Sequence, residues 1–261
     1  MRIGDIELFA LTDGTLKNKP TDAYATTTDA DWEPHQRWLT HDGMLELPIG
    51  CFLIRTNGRV VLVDAGLGTI KIPGFNGGRL LEELTASHTK PEDVTDVIFT
   101  HLHFDHVGWA TQQGAIMFPN ATYRCHVADW AHFVGDGDGG AARKLLPVSE
   151  QLELFDAQGT LAPGIDAMPT PGHTPGHTAL VLSSGTERAM LLGDATHCPV
   201  ELYEAEWDGL GDVDPVLARR TRNAMFAELE ASGVPATAAH FPGLQFGRVL
   251  RAEGRAQWVV S

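Results

Sequence analysis

The densest group of metal-binding residue types in this 261-residue chain is the segment His101-Leu102-His103-Phe104-Asp105-His106. Unpaired imidazoles and carboxylates are costly to bury, so a loop that binds cations explains four such side chains in six residues better than a polar surface turn does. Imidazoles two residues apart reach one metal, whereas Asp105 and His106 point to the other side. The segment therefore predicts two adjacent metal sites.

Three later segments carry further residues of the same types. Thr170 to Thr178 reads Thr-Pro-Gly-His-Thr-Pro-Gly-His-Thr and contains His173 and His177, of which we expect one to be structural. Asp194 follows the apolar run Leu191-Leu192, and His240 follows Ala238-Ala239. Alone, each fits a turn, a cap or a core histidine. A carboxylate such as that of Asp194 also has two oxygens, which allows it to bridge two cations.

The composition excludes several classes of protein. The 19 basic and 34 acidic side chains give a net charge of −15, which repels phosphate backbones and anionic lipid surfaces. We therefore expect no nucleic-acid partner and no membrane partner, but a small-molecule substrate. Three cysteines without CxxC spacing, together with the lack of a recognisable leader segment, predict a reduced cytoplasmic protein.

The elements that must position these residues have clear local signals. Two β-branched runs, Cys51 to Thr56 and Arg59 to Asp64, are joined by Asn57-Gly58, which predicts a hairpin. Asp214-Pro215 is a typical helix start, and we expect that helix to end near Ser232, before Gly233. Candidate ligands follow several predicted strands, which indicates one composite site.

No linker or repeat divides the chain, so residues 1–261 are predicted to form a single domain. Residues 17–48 carry tyrosine, tryptophan and histidine side chains between polar residues. We interpret them as an excursion from the domain that lies near the site or forms a homodimer contact.

Taken in chain order, the four segments resemble the metallo-β-lactamase-fold hydrolase superfamily. Its members have an HxHxDH motif followed by a histidine, an aspartate and a histidine, as in this chain from His101 to His240. The run Val61 to Gly66 is similar to the family's hydrophobic strand that ends in Asp-x-Gly, and the likeness spans residues from about 46 to 243. The resemblance implies an α+β fold, a four-layer αββα sandwich, with a dinuclear metal site at one edge.

The resemblance also implies a role for each residue. One metal would be held by His101, His103 and His173, and the second by Asp105, His106 and His240. Asp194 would bridge the two, while Asp64 and His177 would support the ligands without binding metal. Nitrogen and oxygen ligands without thiolate favour two Zn²⁺ ions, and Mn²⁺, Co²⁺ or Fe²⁺ fit the same ligands.

Within the family, the chain looks most like N-acyl-homoserine lactonases and methyl-parathion-hydrolase-type enzymes. A hydroxide shared by the two metals would attack a lactone or ester carbonyl. The lactonases often carry a tyrosine three residues after the bridging aspartate, where this chain has His197, our candidate acid. Asp105 and His197 are thus the candidate catalytic residues. Trp109, Phe75 and Trp207 are candidates for the wall of an apolar pocket.

Other activities remain open at this point. The same ligands serve organophosphate or aryl-ester hydrolases and thioesterases, although no basic cluster follows His240 to bind a glutathione carboxylate. A metal or ligand sensor without turnover is the alternative from a different class. Seven intact ligand positions argue against it, because unused buried imidazoles and carboxylates destabilise a fold.

Overall fold

Two mixed β-sheets pack face to face in the computed structural model, which describes residues 1–135, 139–252 and 254–260. The strands, in chain order, are β1 (Arg2–Ile3), β2 (Ile6–Asn18), β3 (Leu45–Thr56), β4 (Arg59–Val63), β5 (Lys71–Ile72), β6 (Phe75–Asn76), β7 (Asp96–Ile98), β8 (Thr111–Gln112), β9 (Ala115–Ile116), β10 (Thr122–His126), β11 (Leu152–Phe155), β12 (Gly159–Ala162), β13 (Ile165–Pro169), β14 (Thr178–Ser184), β15 (Glu187–Leu191), β16 (Ala236–Thr237), β17 (Gly247–Ala252) and β18 (Arg255–Val260). The α-helices are α1 (Pro20–Ala23), α2 (Leu80–Ala86), α3 (Val127–Phe133), α4 (Gly140–Leu145) and α5 (Pro215–Ser232). Short 3-10 helices cover Asp29–Trp38, Pro91–Asp93, Leu146–Gln151, Pro199–Leu202 and Pro242–Leu244.

The two sheets come from the two halves of the chain. The first has the strand order β11-β10-β7-β4-β3-β2-β6-β5, with β1 paired to β2. The second has the order β12-β13-β14-β15-β16-β17-β18, and β8 and β9 form a separate hairpin. Each sheet contains parallel neighbours, since β4 and β10 flank β7 in parallel and β15 runs parallel to β16.

Both faces of the central strands are buried, and this produces the four layers. In β3, Phe52 and Ile54 point into the layer between the sheets, whereas Cys51 and Leu53 point to the outer face. Helices α2 and α4 cover that outer face, and α5 covers the outer face of the second sheet. Alternation of side chains with a period of two explains why one strand serves two hydrophobic layers. The predicted αββα sandwich is confirmed.

Local sequence signals predict their elements accurately. Asn57 and Gly58 both adopt positive φ, at 43° and 75°, in the turn between β3 and β4. At the start of α5, the Asp214 carboxylate accepts a hydrogen bond from the Leu217 amide at 3.0 Å, and Gly233 ends the helix at a φ of 63°. No helix in the described part of the chain is long and apolar enough to cross a bilayer.

The predicted excursion is shorter than 17–48. Strand β2 pairs with β3 between Glu7 and Asn18, and this pairing places Lys17 and Pro48 inside the sheet. The segment that leaves the sheet is therefore residues 19–44, which we call the N-terminal segment. Its Tyr24 and Trp32 are buried and pack against Trp207 at ring-centroid distances of 5.6 and 4.9 Å. These aromatic rings thus pack against another part of the same chain, the loop that contains Trp207.

The strands deliver the candidate ligands to one edge of the sandwich. Asp64 directly follows β4, His101 follows the parallel strand β7, and both lie at carboxyl ends. In the second sheet, Asp194 follows β15 and His240 follows the parallel strand β16. Parallel strands end at the same edge of a sheet, so residues distant in sequence meet there.

The buried carboxylate of Asp13 joins three loops at that edge. Its side chain accepts five hydrogen bonds at 2.8–3.2 Å, from the amides of Leu67, Gly68, Gly78 and Leu80 and from the Trp109 indole. The register of β2 against β3 shifts between Thr12 and Gly14, and this irregularity contains Asp13. The Asp13 carboxylate therefore serves as the hydrogen-bond acceptor that a neighbouring strand would otherwise provide for these loop amides.

We expect Asp13→Ala to lower the free energy of unfolding by about 3 to 4 kcal/mol, because several buried N–H groups lose their acceptor. Chemical denaturation measures this change. Asp5→Ala is the matched control, since Asp5 is exposed and is expected to change stability by less than about 0.5 kcal/mol. A similar small loss for both variants would contradict the role assigned to Asp13.

Candidate metal centre

The carboxylate of Asp194 lies among histidines at the edge shared by the two sheets. Its Oδ2 atom is 3.1 Å from His240 Nε2 and 3.2 Å from His106 Nε2. The same oxygen is 3.7 Å from His101 Nε2 and 3.6 Å from His173 Nε2. One carboxylate oxygen thus faces both groups of candidate ligands, as a bridging ligand does.

The structure brings all seven predicted metal ligands together. Their ligand atoms form groups in which every pair lies within 4.8 Å, namely His101 with His103 and His173, His101 with His106 and Asp194, and Asp105 with His106 and His240. A fourth group of this kind joins His173 and Asp194 to His197. Imidazole and carboxylate donors at such separations match the ligands of Zn²⁺ and similar divalent ions.

The far nitrogen of most of these imidazoles has a defined partner. Asp64 lies 3.0 Å from His106 Nδ1, and its carboxylate also accepts hydrogen bonds from the Thr100 amide and hydroxyl. The Nδ1 atom of His240 lies 2.7 Å from the Pro48 carbonyl oxygen. Partners of this kind fix ring orientation and leave the other nitrogen free to bind a cation.

His177 lies beside the cluster, but its nitrogens face protein groups. Its Nε2 accepts a hydrogen bond from the Asp194 amide at 2.9 Å, and its Nδ1 is 2.8 Å from the Thr170 hydroxyl. Gly193 has a φ of 55°, and a Cβ atom there would lie 2.6 Å from His177 Nε2. His177 therefore holds the backbone that carries Asp194.

The electrostatics of the cluster favour neutral imidazoles at three positions. Burial lowers the pKa of His101 and His173 well below the usual value and that of His103 to about 4. Neutral imidazole is the form that binds metal. For His106, the carboxylates of Asp194, Asp64 and Asp105 outweigh burial and raise the pKa. The same negative charges would stabilise a bound cation.

Two buried atoms at the centre have no hydrogen-bond partner among the described residues, and these are His106 Nε2 and Asp194 Oδ1. Orphaned buried polar atoms are rare in proteins. The ion pairs of Asp64, Asp105 and Asp194 within the described ranges are all with histidines, and none is with lysine or arginine. The residues present therefore fit two divalent cations.

A cavity of about 110 Å³ opens onto the cluster. Its polar wall is formed by ligand side chains and His197, and its apolar wall by Leu16, Phe75, Phe104 and Leu210. Phe75 and Phe104 meet edge to face at 5.2 Å between ring centroids. The space fits a small ring or acyl group.

Two of the three predicted pocket residues lie elsewhere. Trp109 is buried in the layer beneath the helices, where its indole donates to Asp13, so its assignment to the pocket wall was wrong. Trp207 packs on Tyr24 and Trp32 and does not line the cavity. Phe75 is the one that does.

His197 lies at the cavity, as predicted for a residue that contacts substrate. Its Nε2 is 3.6 Å from Asp194 Oδ2, and its ring stacks on that of His240 at 5.7 Å. Burial alone would lower the pKa of His197, but the carboxylates of Glu201, Asp194 and Asp212 raise it to about 9.

Sequence reasoning missed three carboxylates near the centre. Asp212 lies 2.9 Å from His173 Nδ1 and accepts a hydrogen bond from the Gly209 amide. Asp129 accepts hydrogen bonds from Leu102 and from Thr174 and Gly176, and so joins the two ligand loops. Glu201 is fully buried behind His197. The only local sequence signal for any of the three was Gly-Leu-Gly-Asp at 209–212, which indicates a tight turn that ends in Asp212.

Comparison with known proteins agrees with this fold. The family model described as the metallo-beta-lactamase superfamily matches residues 45–230, well over half of the chain. Among curated relatives, an N-acyl homoserine lactonase from a Bacillus species is 29% identical over 186 residues, which cover 64% of this chain and 71% of that protein.

Solved structures match over the whole chain. AidC, described as a dizinc quorum-quenching lactonase in complex with a product, superposes with a TM-score of 0.89 at 24% identity and covers 100% of this chain and 96% of its own. AbOPH, described as a hydrolase in the beta lactamase superfamily, gives 0.88 at 25% identity with the same coverage. At 24% identity, the likeness to AidC shows the fold alone.

We expect Asp212→Asn to weaken metal binding about tenfold to hundredfold, because His173 loses the carboxylate that orients its ring. Competition with a chromophoric chelator measures the affinity. Glu206→Gln is the matched control on the same loop, since Glu206 is exposed and pairs only with Arg219 among the described residues. Equal affinities for both variants would refute the role of Asp212.

Proposed function

Because the chain belongs to the metallo-beta-lactamase superfamily, we propose that it is a dinuclear metal-dependent hydrolase that opens lactone rings. The class, a metal-dependent hydrolase, follows from the family. The bond type is our inference. The observation that supports the dinuclear site most strongly is the single Asp194 oxygen that faces histidines of both ligand groups.

The chain's own donors suit two Zn²⁺ ions. His101, His103 and His173 would hold one, Asp105, His106 and His240 the other, and Asp194 would contact both. When bound, two such cations lower the pKa of water and polarise a carbonyl oxygen, which makes hydrolysis feasible at neutral pH. No cysteine joins the ligand groups of the described residues. Cys51, Cys125 and Cys198 are buried free thiols outside these groups.

The cavity walls support a lactone with an apolar substituent. The polar wall would face the ring, and Leu16, Phe75, Phe104 and Leu210 provide an apolar surface for an acyl chain. Curated relatives named N-acyl homoserine lactonase support the same substrate class. His197 Nε2 points into this space, where it would donate a proton to the leaving oxygen of the opened ring.

We expect the purified protein to contain two metal ions per chain, and zinc in particular, by elemental mass spectrometry. Against a panel of acyl-homoserine lactones, γ-lactones, thioesters, aryl esters and phosphotriesters, we expect the acyl-homoserine lactones to give the highest kcat/KM. A chelator should abolish turnover and Zn²⁺ should restore it. Activity confined to phosphotriesters, aryl esters or thioesters would reject the lactonase proposal, and bound metal without any turnover would indicate a sensor.

For His197→Ala we expect kcat on the preferred lactone to fall about a hundredfold, because the proton donor to the leaving oxygen is lost. Metal content should stay at two ions per chain. His41→Ala, at an exposed position, serves as the control with unchanged kinetics. An unchanged kcat in His197→Ala would rule out the acid role and leave His197 as a wall of the cavity.

A further inference from the structure

A buried glutamate outside every sequence motif lies directly behind His197. Glu201 belongs to the 3-10 helix Pro199–Leu202 and is fully buried. Its Oε1 atom accepts hydrogen bonds from the Tyr24 hydroxyl at 2.6 Å and from the His197 amide at 3.2 Å. The phenol comes from the N-terminal segment, 177 residues away in sequence. One carboxylate oxygen therefore joins the N-terminal segment to the backbone of His197.

The same carboxylate faces the imidazole of His197. Glu201 Oε1 lies 3.5 Å from His197 Nδ1, whereas His197 Nε2 faces Asp194. Glu201 and the candidate metal centre therefore lie at opposite nitrogens of one ring. At this separation the carboxylate acts on the ring through its charge, and it holds the residue through the hydrogen bond from the His197 amide.

Arg222 extends the contact to the loop that covers the cavity. Its Nη1 atom lies 3.5 Å from Glu201 Oε2, and its Nη2 donates to the carbonyl oxygens of Trp207 and Ala205. The loop that follows, residues 208–212, carries Asp212 against His173 and places Leu210 in the cavity wall. Arg222 thus connects Glu201 to a second part of the site.

This group of residues is poorly explained by stability alone. A buried ion pair contributes little net stability compared with apolar residues of similar volume. In addition, His197 Nδ1, Glu201 Oε2 and Arg222 Nε have no hydrogen-bond partner within the described parts of the chain. Buried polar atoms left in this way are costly and are typical of functional positions.

We propose that Glu201 is a positioning residue, through which Tyr24 of the N-terminal segment sets the orientation of the His197 imidazole and Arg222 sets the loop over the cavity. The proposal rests on the proposed role of His197 in hydrolysis. It assigns a function to the N-terminal segment, which would adjust the site from behind without contacting substrate.

A double-mutant cycle between Tyr24→Phe and His197→Ala tests this coupling. Tyr24→Phe keeps the ring that packs on Trp32 and Trp207 but removes the hydroxyl donor to Glu201. We expect Tyr24→Phe to lower kcat about threefold to tenfold with KM and metal content unchanged, and to have no further effect on kcat in the His197→Ala background. The same fold-loss in both backgrounds would overturn the proposal.

Tyr203→Phe is the matched control. Tyr203 lies two residues from Glu201, but its hydroxyl accepts a hydrogen bond from the Trp258 amide and does not contact the carboxylate. It is expected to leave kcat unchanged. If Tyr24→Phe does not yield folded protein, the same cycle is performed with Glu201→Gln, which keeps the shape of the side chain but removes its charge.

A spectroscopic measurement separates this proposal from the choice of substrate. In ¹⁵N-histidine-labelled protein with its metal bound, His197 is the resonance pair that is absent in His197→Ala. Tyr24→Phe should shift both ring nitrogens of His197, while exposed His132 stays unchanged and Tyr203→Phe leaves the spectrum as in the wild type. Unmoved His197 resonances would refute the positioning role. Failure to hydrolyse lactones with a shifted His197 would reject only the substrate class, and the cycle would then use the substrate that the panel identifies.

Discussion

The burial of the Asp194 carboxylate among imidazoles is the constraint that organises this end of the molecule. Each ring must present one nitrogen to the centre, so its other nitrogen must be held from behind. The holders differ in kind: a hydroxyl near His101, a carboxylate for each of His106 and His173, and a backbone carbonyl for His240. They come from the first sheet and from the loop over the cavity, whereas Asp194 and His240 follow strands of the second sheet. The sandwich is therefore needed to bring ligands and their supports together.

The loops that carry these residues lack strand partners, and buried carboxylates replace them. Asp13, Asp64 and Asp129 each accept hydrogen bonds from main-chain amides in loops at the edge. Irregular backbone thereby obtains acceptors without a regular ladder. The backbone after residue 204 is held by side-chain donors instead of acceptors. Arg222, for example, donates to the carbonyl oxygens of Ala205 and Trp207. That part of the site depends on three donor side chains of α5, those of Arg219, Arg222 and Asn223, whereas the ligand loops depend on several carboxylates.

Features encoded in a few neighbouring residues were predictable from the sequence. The Asn57-Gly58 turn, the Asp214-Pro215 start of α5 and the HxHxDH loop each carry their signal locally. Strand β2 was not predictable, because Asp13 and Gly14 interrupt its apolar pattern and its length follows from pairing with β3. The roles of Glu201 and Asp212 were not predictable for a related reason. Their roles depend on Arg222, Tyr24 and His173, which only the folded chain brings close, and Trp109 was misplaced because an indole next to a motif need not face the cavity.

The apolar wall of the cavity explains why the motifs define the reaction better than the substrate. Phe104 belongs to the ligand loop, so its place is fixed by the same contacts that fix His103 and Asp105. Its partner Phe75 lies in β6, a strand of two residues that pairs with β2 and β5 at the edge of the first sheet. Leu210 lies on the loop over the cavity. Changes in these two short elements would alter the shape of the cavity and leave the ligands in place, so Phe75 and Leu210 shape the cavity independently of the metal-binding motifs.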